Sequence, residues 1–146
     1  MLDNKVYSSA KRCRLGDHHE PQTAIYCRTA VKDDFAIENQ IYRLLDFAID
    51  NGHTKLSFYI DNGEGGTSLN RPEMNRLVED INVGLVQTVI VTDASRIARG
   101  MEPMYDWLQI LKRADVTCLS LNSGVHDIRI GVNSLYDIGE LLLLSK

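Results

Sequence analysis

The chain has 146 residues, 44% hydrophobic and 25% charged, which suits one globular domain with a single buried core and is too short for two substantial ones. Its longest uninterrupted apolar run is the four leucines Leu141–Leu144, against the roughly 20 residues needed to cross a bilayer, so no membrane span is expected. A net charge of −4 works against wrapping a polyanion, because non-specific DNA affinity comes from Lys and Arg neutralising phosphates; any DNA contact has to rest on a local basic patch.

Residues 1–22 carry Lys5, Lys11, Arg12, Arg14, His18 and His19 without an apolar stretch. That excludes a secretory signal and reads as a polar, loosely ordered extension ahead of a domain over 23–146. Cys13, Cys27 and Cys118 are odd in number and lack CxxC spacing, so neither a disulfide framework nor a cysteine zinc site is expected, and the expected compartment is the cytoplasm.

From Thr23 onward, short β-branched or apolar runs alternate with amphipathic helical patterns, the signature of βαβ units and a mostly parallel sheet. The first strand is Thr23–Arg28. Asp33 or Asp34 can cap a helix whose Ile37, Ile41, Leu44, Leu45 and Ala48 recur at helical spacing and which stops at Asn51-Gly52. Lys55–Asp61 alternates Leu56, Phe58 and Ile60 with polar neighbours and reads as the second strand. A glycine-rich loop, Asn62 to Gly66, follows. Asn70-Arg71-Pro72-Glu73 then predicts a second helix with a cap residue, a proline in the first turn and a glutamate at the capping-box position.

Val86–Val91, four of whose six residues are Val or Ile, reads as a central parallel strand covered on both faces. The segment Ala94–Arg99 leads to a third helix started by Pro103 and bearing Met104, Trp107, Leu108 and Leu111. Val116–Leu121 is the fourth strand. Ser134–Lys146 reads as a terminal helix whose Leu135, Ile138, Leu141, Leu142 and Leu144 require a partner surface. The fold expected is a three-layer α/β domain with strands near Ile25, Phe58, Ile90 and Leu119.

Open α/β sheets bind ligands at the carboxyl ends of their strands, and three segments there carry arginines. Arg28 emerges as strand one finishes, Arg71 closes the glycine-rich loop, and Arg96 and Arg99 follow strand three at i and i+3, sharing a face if that segment is helical. Converging guanidiniums suit the oxygens of a phosphate. An Arg-x-x-Arg pair taken alone is more often a solvated helix face, worth about 0 to 1 kcal/mol. Gly63, Gly65 and Gly66 match neither a P-loop nor a dinucleotide fingerprint, which argues against nucleotide binding. His18, His19, His53 and His126 lack metal-ligand spacing. No metal and no cofactor are expected.

The ordered motifs carry a resemblance. Ala24-Ile25-Tyr26-Cys27-Arg28, Glu38-Asn39-Gln40-Ile41, Tyr59-Ile60-Asp61-Asn62-Gly63, Gly66-Thr67-Ser68-Leu69-Asn70-Arg71-Pro72 and Asp93-Ala94-Ser95-Arg96-Ile97-Ala98-Arg99 together resemble the catalytic domain of serine site-specific recombinases of the resolvase/invertase type, over residues 23 to about 124. The resemblance implies a resolvase-like three-layer fold and site-specific DNA strand exchange without metal or ATP. In that family the serine of a Tyr-x-Arg-x-Ser motif attacks a DNA phosphodiester, forming a 5′-phosphoserine link and freeing a 3′-hydroxyl. The resemblance further assigns phosphate-binding and catalytic roles to Arg28, Arg71, Arg96 and Arg99.

The departures count as much as the matches. The nucleophile position is Ala30, and a methyl group forms no phosphoester, so an uncleaving, degenerate member is expected. Thr29 is adjacent but should face the opposite way along the strand. Asn62 and Gly65 replace the acidic and serine residues usual in that loop, which favours natural decay over an engineered Ala30. Family members continue into a long dimerisation helix and a DNA-binding domain. With nothing after Lys146, DNA binding is expected to be weak and the partners to be DNA, a second copy in a homodimer or higher oligomer, or another recombinase. The alternative function is a non-catalytic module that modulates the assembly of active recombinase subunits.

Overall fold

The computed structural model describes residues 22–122 and 126–128. Residues 1–21 of the expected extension over 1–22 and the leucine-bearing segment Ser134–Lys146 lie outside the described residues, and Gln22 opens the first strand. The elements in chain order are β1 (Gln22–Thr29), α1 (Asp34–Asp50), β2 (Leu56–Asn62), α2 (Pro72–Asn82), β3 (Val86–Val91), a single 3-10 turn (Ala94–Arg96), α3 (Met101–Ala114), β4 (Thr117–Ser120) and β5 (His126–Asp127). The sheet order is β2-β1-β3-β4-β5. β1 to β4 run parallel, and the short β5, absent from the sequence reading, pairs antiparallel with Ser120 and Leu119.

The helices complete three layers, as expected. One face of the sheet presents Ile25, Cys27, Phe58 and Ile90 to the buried stripe Ile37, Ile41, Leu44 and Ala48 of α1. The other presents Ala24, Tyr26, Tyr59, Val89, Val91 and Cys118 to Met74, Leu77 and Ile81 of α2 and to Met104, Trp107 and Leu111 of α3. Residues of β1 alternate between the two cores because successive side chains on a strand point to opposite faces. β1 is buried along almost its whole length for the same reason, since it is paired on both edges and covered on both faces.

The helix starts show which local signals survive in the folded chain. Asp33 caps α1 as expected, its carboxylate accepting the Ala36 amide at 3.0 Å. At α2 the expected capping box is not formed. Arg71 sits at the cap position without a side-chain cap bond, Asn70 Oδ1 accepts instead from the side-chain Nδ2 of Asn75, and Glu73 makes a two-point pair with Arg76. The amides of Glu73 and Met74 are taken by the buried carboxylate of Asp61, at 2.9 and 3.0 Å. A carboxylate at the end of β2 thus both satisfies two orphan donors and lies against the positive end of the helix dipole. α3 begins at Met101, two residues before Pro103, which leaves the proline in the first turn where its missing N–H costs nothing.

Candidate functional site

In a 2-1-3-4 strand order the chain leaves β1 for one side and returns to the other, so a crevice opens where β1 and β3 end. The pairing register makes this concrete. β1 stays paired with β2 as far as Thr29–Asn62, whereas its pairing with β3 ends at Ile25–Ile90. Past Ile25 the two central strands part, and Arg28 meets a side chain instead of a strand. The Arg28 amide donates to Gln40 Oε1 at 3.1 Å, and Gln40 Nε2 donates to the Arg28 carbonyl at 3.0 Å. Gln40 is buried on the apolar stripe of α1, where a polar side chain needs such partners.

The arginines expected at the strand ends occupy different depths. Arg28 is 1% exposed and Arg71 is 2% exposed. Arg28 donates from Nε to the Arg96 carbonyl at 2.9 Å, from Nη1 to the Glu64 carbonyl at 2.8 Å and from Nη2 to the Ser95 carbonyl at 2.7 Å. Arg71 donates from Nε to the Ser68 carbonyl at 2.9 Å and from Nη1 to the Arg96 carbonyl at 3.1 Å and the Tyr26 hydroxyl at 2.7 Å; its Nη2 donates to the Ile97 carbonyl. The turn after β3 is therefore gripped by two guanidiniums.

Arg96 is half-buried, ion-paired with Asp93 at 3.4 Å and within 3.2 Å of the Arg28 carbonyl. Arg99 is exposed, and its amide donates to the Gly66 carbonyl at 2.8 Å. The 3-10 turn ends at Arg96, so Arg96 and Arg99 do not share one helical face. The four charges nevertheless converge: burial and then the charge of Arg71 lower the Arg28 pKa, the Tyr26 hydroxyl opposes them, and Arg99 and Arg96 add to the depression. Such a cluster is a standing attraction for an anion.

Beneath it runs a buried polar chain. Arg71 donates to the Tyr26 hydroxyl, which donates to Asp61 Oδ2 at 2.8 Å. Burial pushes the Tyr26 phenol far up, with the Arg71 charge opposing.

Ala30 follows directly on β1 and is exposed at the rim. Thr29 is buried, and its hydroxyl is fully engaged, donating to Asn62 Oδ1 at 2.7 Å and accepting the Gly63 amide at 3.1 Å. Asn62 also receives the Asp33 amide and donates to Asp34 Oδ1, so it holds the loop after β1 in place. Ser95 donates to the Asp93 carboxylate, and Ser68 accepts the Asn70 amide. Among the described residues no group of His, Cys, Asp and Glu could hold a metal ion, and no helix is long and apolar enough to cross a membrane.

Sequence reasoning missed Gln40, Asp61 and Gly66 as parts of this site. Gln40 had a visible signal, a polar residue between Ile37 and Leu44 on a buried stripe. Gly66 stood in a glycine-rich loop, but nothing local pointed to Arg28: a Cβ at 66 would lie 2.9 Å from Arg28 Nη2 and 3.1 Å from Arg28 Cζ, a closeness only the folded chain creates.

Known proteins resemble this chain in sequence and fold. The family described as Resolvase, N terminal domain matches residues 23–143. A Bacillus subtilis (strain 168) protein described as a candidate DNA recombinase is 35% identical over 77 residues, which make up 52% of this chain; the match spans 15% of that protein's length. The N-terminal catalytic domain of TP901-1 integrase superposes with a TM-score of 0.66 at 29% identity, covering 85% of this chain and 91% of that one. A resolvase-family site-specific recombinase from Streptococcus pneumoniae superposes with a TM-score of 0.67 at 26% identity, covering 86% of each chain.

Proposed function

The chain belongs to the serine site-specific recombinase family, in its resolvase-type catalytic domain, and from that premise we propose that it engages a DNA phosphodiester at the β1–β3 crevice without cleaving it. The observation that carries the reading is the pair of residues ending β1. Ala30, at the position of the attacking serine, has no lone pair with which to form a P–O bond. The neighbouring Thr29 hydroxyl is buried and committed to Asn62 and Gly63, so it does not stand in. The arginine cluster remains: Arg28, Arg71, Arg96 and Arg99 supply the positive charge that draws a phosphate, and removing a nucleophile leaves such binding groups in place.

The test is incubation with supercoiled DNA followed by denaturing detection of protein–DNA adducts. No adduct and no nicking are expected from the chain as it stands. Ala30→Ser restores the atom without the setting, because Arg28 and Arg71 stay bonded to carbonyls, so it is expected to form few or no adducts alone. Fused to a heterologous DNA-binding domain with paired target sites, that variant has its best chance, since orientation is worth many powers of ten in rate. Adducts formed by the unaltered chain would overturn the reading and direct attention to Ser95.

A second reading, a non-catalytic module that joins or modulates active recombinase subunits, is favoured by one surface feature. Phe35, Tyr42 and Ile49 recur every seven residues along α1 and are 75%, 46% and 66% exposed, forming one apolar stripe of the kind that marks association. Co-purification with an active recombinase that is lost on Tyr42→Glu supports this reading; co-purification indifferent to that change removes it.

A further inference from the structure

The guanidinium of Arg28 is enclosed by the loop after β2 and the turn after β3. The 95–97 turn takes two of its nitrogens, and the Glu64 carbonyl takes the third. Gly66 lies so close over the head that even a methyl group would meet it at 2.9 Å. The loop is held down in turn by its own backbone: the Arg99 amide donates to the Gly66 carbonyl at 2.8 Å, and the Gly63 and Glu64 amides donate to the Thr29 carbonyl at 3.0 and 2.8 Å. Arg71 bonds to the same turn from below, through the carbonyls of Arg96 and Ile97.

We propose that this crevice is a latched anion site, in which Arg28 and Arg71 clamp the 95–97 turn shut and a phosphodiester reaches Arg28 only when the Glu64–Gly66 segment lifts. The proposal rests on the phosphate reading above and adds its regulation. Two kinds of arginine follow from it. Arg99, exposed at the rim, meets the phosphate first, while Arg28 exchanges carbonyl partners for phosphate oxygens as the loop opens. Charge favours that exchange, because a phosphate carries a full negative charge where a carbonyl offers a partial one, and Arg28 sits among three like charges that an anion relieves. The closed state is held by guanidinium bonds to neutral carbonyls, and a phosphate offers a fully charged acceptor in place of each carbonyl, so a ligand can shift the balance. Glycine at 66 is what permits the closed state at all.

The experiment is a heteronuclear NMR titration of the full chain with a short DNA duplex, following the Arg28 and Arg71 Nε–H signals and the Arg99 amide, for the wild type, Gly66→Ala and Arg99→Gln. In the free wild type, both Nε–H signals and the Arg99 amide should be protected from exchange. DNA should shift the Arg28 Nε–H resonance, as its acceptor changes from carbonyl to phosphate, and speed exchange of the Arg99 amide, while the amides of Val89 and Ile90 in β3 stay protected. Gly66→Ala wedges the latch, so its Arg99 amide should exchange faster without DNA. Its affinity should rise by about tenfold if the wild-type site is open about a tenth of the time, since that fraction taxes the apparent constant. Arg99→Gln should weaken binding and lower the salt slope by about one, as the loss of one phosphate contact does.

Unchanged binding in Arg99→Gln overturns the phosphate reading and the latch with it. Weaker binding in Arg99→Gln together with no gain in a folded Gly66→Ala overturns the latch alone. If Gly66→Ala does not fold, the wild-type signals decide: an Arg28 Nε–H resonance that does not move and an Arg99 amide still protected in the DNA-saturated protein sink the proposal.

Discussion

At the scale of single residues, the site is built from side chains that satisfy backbone groups. Gln40 is the clearest case, because it supplies both a donor and an acceptor to Arg28 where β3 has withdrawn. Replacing it with leucine leaves the Arg28 N–H buried without a partner, which costs about 1–3 kcal/mol. We expect Gln40→Leu to lower the unfolding free energy by that amount, read as a lower urea midpoint with an unchanged slope, and Gln40→Glu, which keeps an acceptor for the amide, to lose less. Equal losses in both variants would mean that the amide bond is not what Gln40 provides. The same residue illustrates what a sequence reading can reach. Its place on the stripe follows from helical periodicity, but its partner lies on β1, twelve positions away, and no local pattern names it.

At the scale of elements, α1 and α2 differ in where their caps come from. α1 is capped from its own flank by Asp33, and both its start and its stop at Asn51-Gly52 follow from local residues. α2 is capped by Asp61, so the cap exists only once β2 and α2 are packed together. That is why Asn70 and Glu73, sound local candidates, were bypassed: a carboxylate already buried beneath the helix end holds both amides at once. Asp61→Ala removes this cap and the acceptor of the Tyr26 hydroxyl proton, and we expect a loss of about 2–4 kcal/mol in chemical denaturation, combining a cap with a buried hydroxyl that still accepts from Arg71 but has nowhere to donate. Asp61→Asn, which keeps an acceptor, should fall between that variant and the wild type. Asn70→Ala should sit close to wild type, since Asn70 caps nothing.

At the scale of the whole molecule, burial of acidic groups in the core sets how stability depends on pH. Burial pushes the Cys27 thiol up from 9.0 to about 12, with Arg96 opposing, and burial pushes Tyr26 and Tyr59 well above their ordinary value of 10.0. Each group stays protonated in the folded chain while the unfolded chain gives up its proton, so above about pH 9 the folded state binds more protons and stability falls as pH rises. The contribution is intact below pH 9 and is lost toward pH 12. Thermal unfolding midpoints should hold steady up to pH 8.5 and then decline, and Cys27→Ala should remove the earliest part of the decline. A midpoint that rises between pH 9 and 11 would contradict the sign.

The same burial separates what sequence alone determined from what only the folded chain decided. Strands β1 to β4, helices α1 to α3, the three layers, the mostly parallel sheet and the arginines at the strand ends were legible, because periodicity and motif order are local properties of the chain; the two-residue β5 was not, because so short a strand carries no periodicity. The depth of those arginines was not. Arg28 and Arg71 read from sequence as charged groups awaiting a phosphate, yet both are buried, donating to carbonyls of Glu64, Ser68, Ser95, Arg96 and Ile97. A guanidinium takes whichever oxygens the fold brings within about 3 Å. Here they are backbone carbonyls of two loops distant in sequence from β1, gathered only when β1 and β3 part at the end of the sheet.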